Sequence, residues 1–466
     1  MSHQGPIRLR TELRNTLMLA GPIVLNQVGH MSMGMVDTMV AGGISTVVLA
    51  GLGLAVNCFW TLTAVCQGSL LALDTFFAQA VGAGDKPRLG RYLEQSFWAC
   101  GMVTLLSGAL IAVAAVLYLW LAPPSGMRAA FGLYLGNIFW CLPSLFIFFV
   151  LQRYWQARHR VAPFTIIILA ANLLNLLACV ALGLGKWGFP ALGIRGIAWA
   201  TNISRYAMVL AAVLFTWYQL RPRRLQWPSF ELSVQRQFFR LGLPAASHTA
   251  LEIGAFTIAT FVVGTLGNAA LAAHHVCLMM AAFTFMFPLG FSSAAAVRVG
   301  GFIGSGDPLR ARVAGWLAIG VSVTCMSCFA LGYLTIPRLL LSCFSSDPAV
   351  VQLGVKILLW VALFQIADGT QVSTTGALRG LGDTRTAMWA NLIGHYPIGL
   401  VIGLVLCFGL GYGVVGMWTG LACGLVTVAV LLLCAWHRAT REPLRMRPVV
   451  TSLSSQVTGA ESKIEP

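Results

Sequence analysis

Acidic side chains stand inside the long apolar stretches of this sequence: Asp37, Asp74, Glu252 and Asp368. Only 9% of the residues are charged and 58% are hydrophobic, so these carboxylates are exceptions to their surroundings. An ionised carboxylate at the centre of a membrane helix costs at least ~2.5–3.5 kcal/mol on insertion scales. Such groups are kept where they face a partner or a water-filled cavity, so they indicate translocation of an ion or cation.

Polar neighbours accompany two of the acids at helical spacing. Asn26, His30 and Asp37 lie at i, i+4 and i+11 of the first stretch, close to one face of a helix. His248 and Glu252 stand at i and i+4 of the seventh stretch. When the first half of the chain is shifted by 222 residues, Asn26 falls on His248 and His30 on Glu252. The sequence therefore predicts a polar face, lining a cavity, in each half.

The tenth and fifth stretches carry further polar stripes. Their members are Gln365, Asp368, Gln371 and Thr375 in the tenth, and Asn172, Asn175 and Cys179 in the fifth. Amides coordinate a cation, or hydrogen-bond a carboxylate, without adding charge.

A structural interpretation competes with the functional one. Polar contacts between membrane helices contribute about 0.6 kcal/mol on average, and the amide, hydroxyl and imidazole side chains suit that role equally well. For Asp37, Glu252 and Asp368 a functional role is favoured, because ionised carboxylates are poor packing groups. Asp74 lies near the end of its stretch, where a solvated structural role is expected. Arg205, in the middle of the sixth stretch, is a candidate ion-pair partner for Asp37.

The apolar stretches predict an all-α polytopic membrane protein. Mean hydropathy is +0.80, and the stretches are about 20 residues or longer, enough to cross a bilayer. We predict twelve spans, at about 15–40, 47–81, 92–121, 128–152, 163–184, 196–219, 241–266, 270–300, 312–341, 349–376, 387–410 and 414–436.

Charge distribution predicts the orientation. The net charge is +16, and the basic residues gather at the two termini and in alternate loops: 8–14, 86–91, 153–160, 221–240, 298–312, 379–385 and 438–447. The positive-inside rule then places both termini in the cytoplasm of a cell whose inner (plasma) membrane the chain spans. The N-terminus resembles the start of a signal peptide, but its apolar segment is too long, and it is predicted to remain as the first helix. The division of basic residues among short loops argues against nucleic-acid binding.

The chain is organised as two similar halves. We predict an N-terminal segment (1–14), an N-lobe of six spans (15–220), a linker (221–240), a C-lobe of six spans (241–436) and a tail (437–466). The sequences G-A-G-D and G-S-G-D, which end at Asp85 and Asp307, occupy the same loop of each half. Because six is even, the halves enter the membrane from the same side, and we expect two parallel lobes that rock around a central cavity.

Several classes of function lack their signatures. The chain has no Walker A sequence, no G-x-S-x-G and no H-E-x-x-H. Its twelve cysteines are scattered among the spans and are interpreted as small apolar packing residues. We therefore expect no enzyme, no cofactor, no bound metal and no nucleotide hydrolysis, so an ion gradient or the membrane potential must drive any transport.

Five segments resemble the multidrug and toxic compound extrusion (MATE) transporters, most closely the bacterial NorM-type branch. They are MSMGMVDTMVAG (31–42), ALDTFFAQAVGAGD (72–85), AAHHVCLMMAAFTFMFPLGFSSAAAVRVG (272–300), FQIADGTQVSTTGALRGLGDTR (364–385) and GYGVVGMWTG (411–420). With the twelve spans and the linker, the resemblance covers nearly the whole chain.

This resemblance implies export of small organic cations in exchange for inward Na⁺ or H⁺ by alternating access. Family roles in cation coupling or substrate interaction carry over to Asp37, Glu252 and Asp368. The last two are also the candidate ligands of a Na⁺ ion. Asn175 matches an asparagine of the fifth-helix motif, but Cys179 stands where a second asparagine is common. That departure speaks against an N-lobe Na⁺ site of the usual composition. Membrane lipids are the other expected partners, and no protein partner is implied.

Alternatives remain open at this point. A lipid-linked oligosaccharide flippase belongs to the same superfamily, but an anionic headgroup calls for basic cavity residues, and only Arg205 lies in mid-membrane. An intramembrane enzyme would need a nucleophile or metal constellation. A passive channel would show a flux that cannot exceed the electrochemical gradient.

Overall fold

Helices make up almost all of the protein that the structure, a computed structural model, describes: residues 8–42, 46–121, 125–221 and 229–442, with 446 and 448. Eleven helical segments in this part are long and apolar enough to cross a membrane. The first helix, of 34 residues, is also long enough, at ~51 Å. Its mean hydropathy is lower than that of the eleven because it carries more polar side chains, Asp37 among them.

The described part of the first half has eight α-helices that make six crossings. They are α1 (Leu9–Gly42), α2 (Thr46–Leu70), α3 (Leu73–Gly82), α4 (Lys86–Trp120), α5 (Ser125–Ile138), α6 (Leu142–Ala157), α7 (Ala162–Ala178) and α8 (Ile194–Leu220). A π-helical turn, Cys179–Gly183, extends α7. The pairs α2 and α3, and α5 and α6, each make one crossing with a break in the middle.

The second half repeats this plan. Its helices are α9 (Leu232–Gly264), α10 (Asn268–Gly304), α11 (Pro308–Thr335), α12 (Pro337–Ser342), α13 (Pro348–Leu381), α14 (Arg385–Ile393), α15 (Val401–Leu404) and α16 (Gly413–Arg441). The π-helical turns Gly394–Leu400 and Val405–Gly409 continue α14 and α15.

The repeated G-x-G-D loops work in the same way in both halves. Gly84 and Gly306 have φ angles of 69° and 77°, which glycine adopts without a steric penalty. The carboxylates of Asp85 and Asp307 then each accept a 3.0 Å hydrogen bond from the backbone N–H three residues on, capping the next helix. Each loop thus ends one helix and starts another.

Some boundaries differ from the sequence prediction. Residues 232–240, predicted as linker, are the first turns of α9. Glu231, just before it, pairs with Arg91 of α4. The predicted ninth span ends at Thr335, because Pro337 starts the separate short helix α12.

Helices α1–α8 form the N-lobe, and α9–α16 form the C-lobe. The lobes meet where α1 and α3 pack on α10, and where α2 packs on α9. We call the end of the bundle that holds residues 221 and 229–231 the linker end. Close to it, Ile23 and Val24 of the N-lobe share an apolar cluster with Phe291 and Ala294 of the C-lobe. The linker end is therefore closed between the lobes.

Backbone-to-backbone contact makes this closure tight. A Cβ atom placed on Gly82 would lie 1.9 Å from the carbonyl oxygen of Gly301, and one on Gly304 would lie 2.1 Å from that of Gln79. Small residues are the usual means by which membrane helices approach so closely.

We expect Gly82→Ala to prevent this contact, at a cost of about 1–3 kcal/mol typical of overpacking. The matched control is Gly301→Ala, across the same contact, whose Cβ would meet nothing nearer than the Ala78 carbonyl oxygen at 4.0 Å. Thermal unfolding and thiol labelling of cysteines introduced at the linker end measure the effect. Equal behaviour of the two variants would show that the contact does not hold the lobes together.

Candidate functional site

The N-lobe encloses Asp37 in a shell of hydrogen-bond donors. Its side chain is 2% exposed. The Thr201 and Tyr134 hydroxyls donate to Oδ2 at 2.7 and 3.1 Å. The Asn175 amide and the Cys179 thiol donate to Oδ1, each at 3.4 Å. Four donors on one carboxylate stabilise its ionised form in a place that water does not reach.

Four crossings supply these groups. Asp37 comes from α1, Tyr134 from α5, Asn175 from α7 and Thr201 from α8, while Cys179 opens the π-helical turn after α7. Such turns are rare and frequently occur at functional sites. The fifth crossing of the C-lobe also contains π-helical turns, Gly394–Leu400 and Val405–Gly409.

The structure joins only part of the predicted N-lobe stripe. Asn175 reaches Asp37 as described, but Asn172 donates to the Ile168 carbonyl of its own helix. His30 packs edge-on against the Phe148 ring, with centroids 6.0 Å apart. Asn26 is fully buried, and neither of its amide atoms has a partner in the protein.

Sequence reasoning missed Tyr134 and Thr201. An uncharged tyrosine or threonine in an apolar span is too common to stand out. The run T-N-I-S-R at 201–205 was the available signal, since four of its five residues are polar within a membrane span.

Arg205 does not form the predicted ion pair with Asp37. No carboxylate oxygen among the described residues lies within 4.0 Å of its guanidinium nitrogens. The guanidinium lies over the Trp60 ring instead, 4.9 Å from the centroid. The prediction was wrong because it used height along the helix alone, whereas the contact depends on the direction in which α8 points the side chain.

In the C-lobe, one amide bridges two carboxylates. Gln371 Nε2 donates to Glu252 Oε1 at 2.8 Å and lies 3.4 Å from Asp368 Oδ1. His248 Nε2 is 3.9 Å from the other Glu252 oxygen. Asp368 is 2% exposed, and the Glu252 side chain is 13% exposed. The structure thus gathers α9 and α13 residues into one acidic cluster.

This acidic cluster lies beside further polar atoms. Gln365 Nε2 donates to the Thr284 hydroxyl of α10. Three buried oxygens have no partner in the protein: Gln365 Oε1, Gln371 Oε1 and Thr375 Oγ1. Among the described residues, no arginine or lysine nitrogen lies within 4.0 Å of the two carboxylates. The cluster therefore presents uncompensated negative charge and free oxygen acceptors.

Asp74 is not solvated, contrary to the sequence expectation. It is 0% exposed, and its Oδ2 lies 3.3 Å from Nη1 of Arg153 and 3.3 Å from Nη2 of Arg379. Arg153 also donates to the Ser293 hydroxyl of α10 at 2.8 Å. We call Asp74, Arg153 and Arg379 the inter-lobe triad, because the first two belong to the N-lobe and the third to the C-lobe.

Other polar contacts between the lobes accompany the triad at the linker end. Arg298 of α10 pairs with Glu12 of α1, and the Gln79 amide donates to the Gly380 carbonyl at 3.1 Å. Arg153 and Arg379 were predicted to lie in loops, and that prediction was wrong, whereas Arg298 lies within the predicted eighth span, 270–300. All three are buried in helices that continue past the apolar part of their spans.

Two lobes of membrane-crossing helices, with carboxylates buried in each lobe and one end closed between them, define a secondary transporter of the alternating-access type. The sequence pattern of the MatE family matches residues 22–181 and 244–405. The two matches begin 222 residues apart (244 − 22), the same offset that relates the halves of the sequence. The chain belongs to the MATE family of multidrug efflux transporters.

Curated relatives agree over nearly the full length. The chain is 34% identical to "Probable multidrug resistance protein NorM" of Pseudomonas putida, covering 91% of this chain and 93% of the relative. It is 35% identical to the protein of the same description from Rhodopseudomonas palustris, covering 93% and 94%. For "Multidrug resistance protein NorM" of Burkholderia vietnamiensis the identity is 32%, over 94% and 98%.

Solved structures show the same fold. The eukaryotic MATE transporter AtDTX14 superposes with a TM-score of 0.83 at 23% identity, covering 94% of this chain and 99% of that one. The Vibrio cholerae MATE transporter VcmN, in its bent form, gives a TM-score of 0.78 at 20% identity, covering 94% and 99%. The prediction of twelve crossings in two lobes is confirmed.

Proposed function

We propose that this transporter exports lipophilic organic cations in exchange for inward protons, with the cation at Glu252 and Asp368 and the proton at Asp37. The observation that carries the proposal is the acidic cluster of the C-lobe. It holds two carboxylates on one amide, with no arginine or lysine within 4.0 Å among the described residues. A cation gains more from such a pair than from solvated acids, because the local dielectric is low.

The surroundings of Asp37 support a proton as the coupling ion. The four side chains that contact its carboxylate all offer hydrogens to it, through two hydroxyls, an amide N–H and a thiol. A sodium ion needs several oxygen acceptors instead, and Cys179 contributes a sulfur where an oxygen would serve. Asn175 Oδ1 is a buried oxygen without a partner at this site, but Cys179 supplies a sulfur, so the N-lobe site favours a proton over Na⁺.

Sodium is the second candidate, at the C-lobe site. The free oxygens of Gln365, Gln371 and Thr375 beside the two carboxylates are ligands of the kind that Na⁺ takes. Among the described residues, no group of three or more His, Cys, Asp or Glu side chains forms a metal site. A Na⁺ ion there would compete directly with the organic cation.

The closed linker end supports alternating access. Its contacts join α1 and α3 to α10 and α13, so opening this end requires the two lobes to separate. We place the linker end in the cytoplasm, and the chain in a bacterial inner membrane with both termini inside, because the basic loops lie there. The described structure then corresponds to the state closed towards the cell interior.

Charge argues against the flippase alternative. An anionic lipid headgroup would be repelled by Glu252 and Asp368, and of the buried arginines that the structure describes only Arg205 lies away from the linker end. Loss of activity on substitution of a single Ser, Cys or His, with the acids dispensable, would favour an enzyme. Flux limited by the electrochemical gradient would favour a channel.

The test uses proteoliposomes that contain the purified protein and a fluorescent organic cation. A pH gradient and a Na⁺ gradient are imposed separately. We expect uphill movement of the cation with the pH gradient alone, and none when Asp37 is replaced by Asn. Uphill movement with the Na⁺ gradient alone would overturn proton coupling and favour the C-lobe Na⁺ site. Movement under neither gradient would count against organic cations as substrates.

Thr201→Val is expected to move the pH profile of exchange. Thr201 makes the shortest hydrogen bond to Asp37, at 2.7 Å. A hydrogen bond to a charged group contributes about 1.5–3 kcal/mol, and each 1.4 kcal/mol is a tenfold change in an equilibrium constant. Without it the ionised carboxylate is less stable, so the proton is held more tightly. The midpoint of proton-driven exchange should rise by about one pH unit or more.

The matched control for this substitution is Thr216→Val. Thr216 is a buried threonine of the same helix that accepts a 2.9 Å hydrogen bond from the Trp155 indole and does not contact Asp37. It should lower thermal stability without moving the pH midpoint. A common shift in both variants would mean that the profile reports stability and not the Asp37 proton.

A further inference from the structure

Arg205 is a buried positive charge without a carboxylate partner. It is 2% exposed, and its Nε and Nη2 atoms have no hydrogen-bond partner in the protein. The Trp60 ring, 4.9 Å below the guanidinium, supplies a cation–π contact. An arginine remains charged under all physiological conditions. The N-lobe interior thus carries a permanent positive charge that the contacts of α8 do not neutralise.

Titratable side chains from several elements lie close enough to feel the charge of Arg205. They are Asp37 and His30 of α1, Tyr134 of α5, and Cys141 of the short 3-10 turn Phe139–Cys141 that follows α5. Cys179 is the other titratable group that touches Asp37. At pH 8 histidine, cysteine and tyrosine side chains are mostly neutral at their ordinary pKa values, which leaves Asp37 and Arg205 as the charged groups. The net charge of Asp37 and Arg205 together is zero when Asp37 is ionised and +1 when Asp37 is protonated.

We propose that Arg205 tunes the charge selectivity for substrate: when Asp37 is protonated, the unbalanced positive charge of Arg205 repels a cation at the C-lobe acids and acts twice as strongly on a dication. This proposal rests on the proposed function. The proton and the substrate then occupy different lobes and need not compete for one carboxylate.

The expected size of the effect follows from Coulomb's law. The Coulomb energy is proportional to the charge of the ligand, so a field that changes the affinity for a monocation by a given factor changes the affinity for a dication by the square of that factor. The ratio of the two affinities should therefore change by the same factor as the monocation affinity.

Ethidium and propidium test this directly, because they share one aromatic ring system and carry one and two positive charges. Asp37→Asn fixes the protonated charge state, so the comparison needs no change of pH. Equilibrium binding of each dye to the purified protein at pH 8 is measured for Asp37→Asn alone and with Arg205→Gln, Arg205→Met or Arg205→Lys. Gln and Met are independent neutral replacements, so one folding failure still leaves a test.

We expect both neutral replacements to tighten the binding of both dyes, propidium by about the square of the ethidium factor, while Lys leaves both affinities near those of Asp37→Asn alone. Equal changes for the two dyes, or none, would overturn the role of the charge and leave Arg205 a packing group. A change with Lys as large as with Gln would do the same. If the wild-type protein binds neither dye, organic-cation export itself fails, and that result is separate from the failure of Arg205.

Discussion

Replacing Glu252 by Gln, or Asp368 by Asn, should reduce uphill export of organic cations by at least about tenfold while the protein remains folded. Each substitution preserves shape and most hydrogen bonds but removes one negative charge from a pair that shares the Gln371 amide. At an effective dielectric constant near 20, one unit charge about 4 Å from a cation contributes roughly 4 kcal/mol, far more than a tenfold effect requires. The double variant should show no uphill export.

The measurement is proton-driven accumulation of a fluorescent cation in proteoliposomes, with equilibrium binding as the second readout. Glu94→Gln is the matched control, because Glu94 is an exposed acid of α4. Binding should weaken in parallel with export in the site variants and should not change in the control. Wild-type export by both Glu252→Gln and Asp368→Asn would remove the carboxylates from the mechanism.

Asp74→Asn should destabilise the described state by about 3–5 kcal/mol, because it leaves two buried guanidinium groups without a counter-charge. The three side chains of the inter-lobe triad are between 0% and 6% exposed. Opening of the linker end relieves part of that cost by hydrating the arginines. We therefore expect both a lower thermal midpoint and more frequent opening at the linker end.

The ion pair between Glu231 and Arg91 is the comparison for the Asp74→Asn variant. It also links the start of α9 in the C-lobe to α4 in the N-lobe at the linker end, but its side chains are 27% and 35% exposed. Exposed pairs contribute about 0–1 kcal/mol, so Glu231→Gln should be nearly silent. Thermal unfolding and labelling of cysteines introduced at the linker end report the two effects. A silent Asp74→Asn would show that the triad does not hold the lobes closed.

The sequence pattern was sufficient to predict the architecture. The length of the apolar stretches predicts the crossings, and the repeated G-x-G-D loops, with Asp85 and Asp307 as helix caps, predict the parallel halves. These features are local, so a single chain displays them. The candidate acids could likewise be chosen without the structure, because a carboxylate in an apolar span has few explanations other than a functional role.

Contacts between distant helices could not be predicted. Glu252 and Asp368 were chosen separately, but only the folded structure brings Gln371 of α13 within reach of Glu252 of α9 as well as of Asp368. Arg153 and Arg379 stand so close to loops in the sequence that the positive-inside rule assigns them there. Their helices continue to the linker end and turn both side chains towards Asp74, a direction that hydropathy does not encode.

Cys179 has a consequence for spectroscopy. Its thiol lies 3.4 Å from the carboxylate that we propose to carry the coupling proton. An S–H bond absorbs infrared light in a region almost free of water and peptide bands, and its frequency falls as the acceptor becomes more negative. The wild-type protein therefore carries a native vibrational probe of Asp37. A difference spectrum against Cys179→Ala isolates its band from those of the other cysteines, without a dye and without a substitution of Asp37.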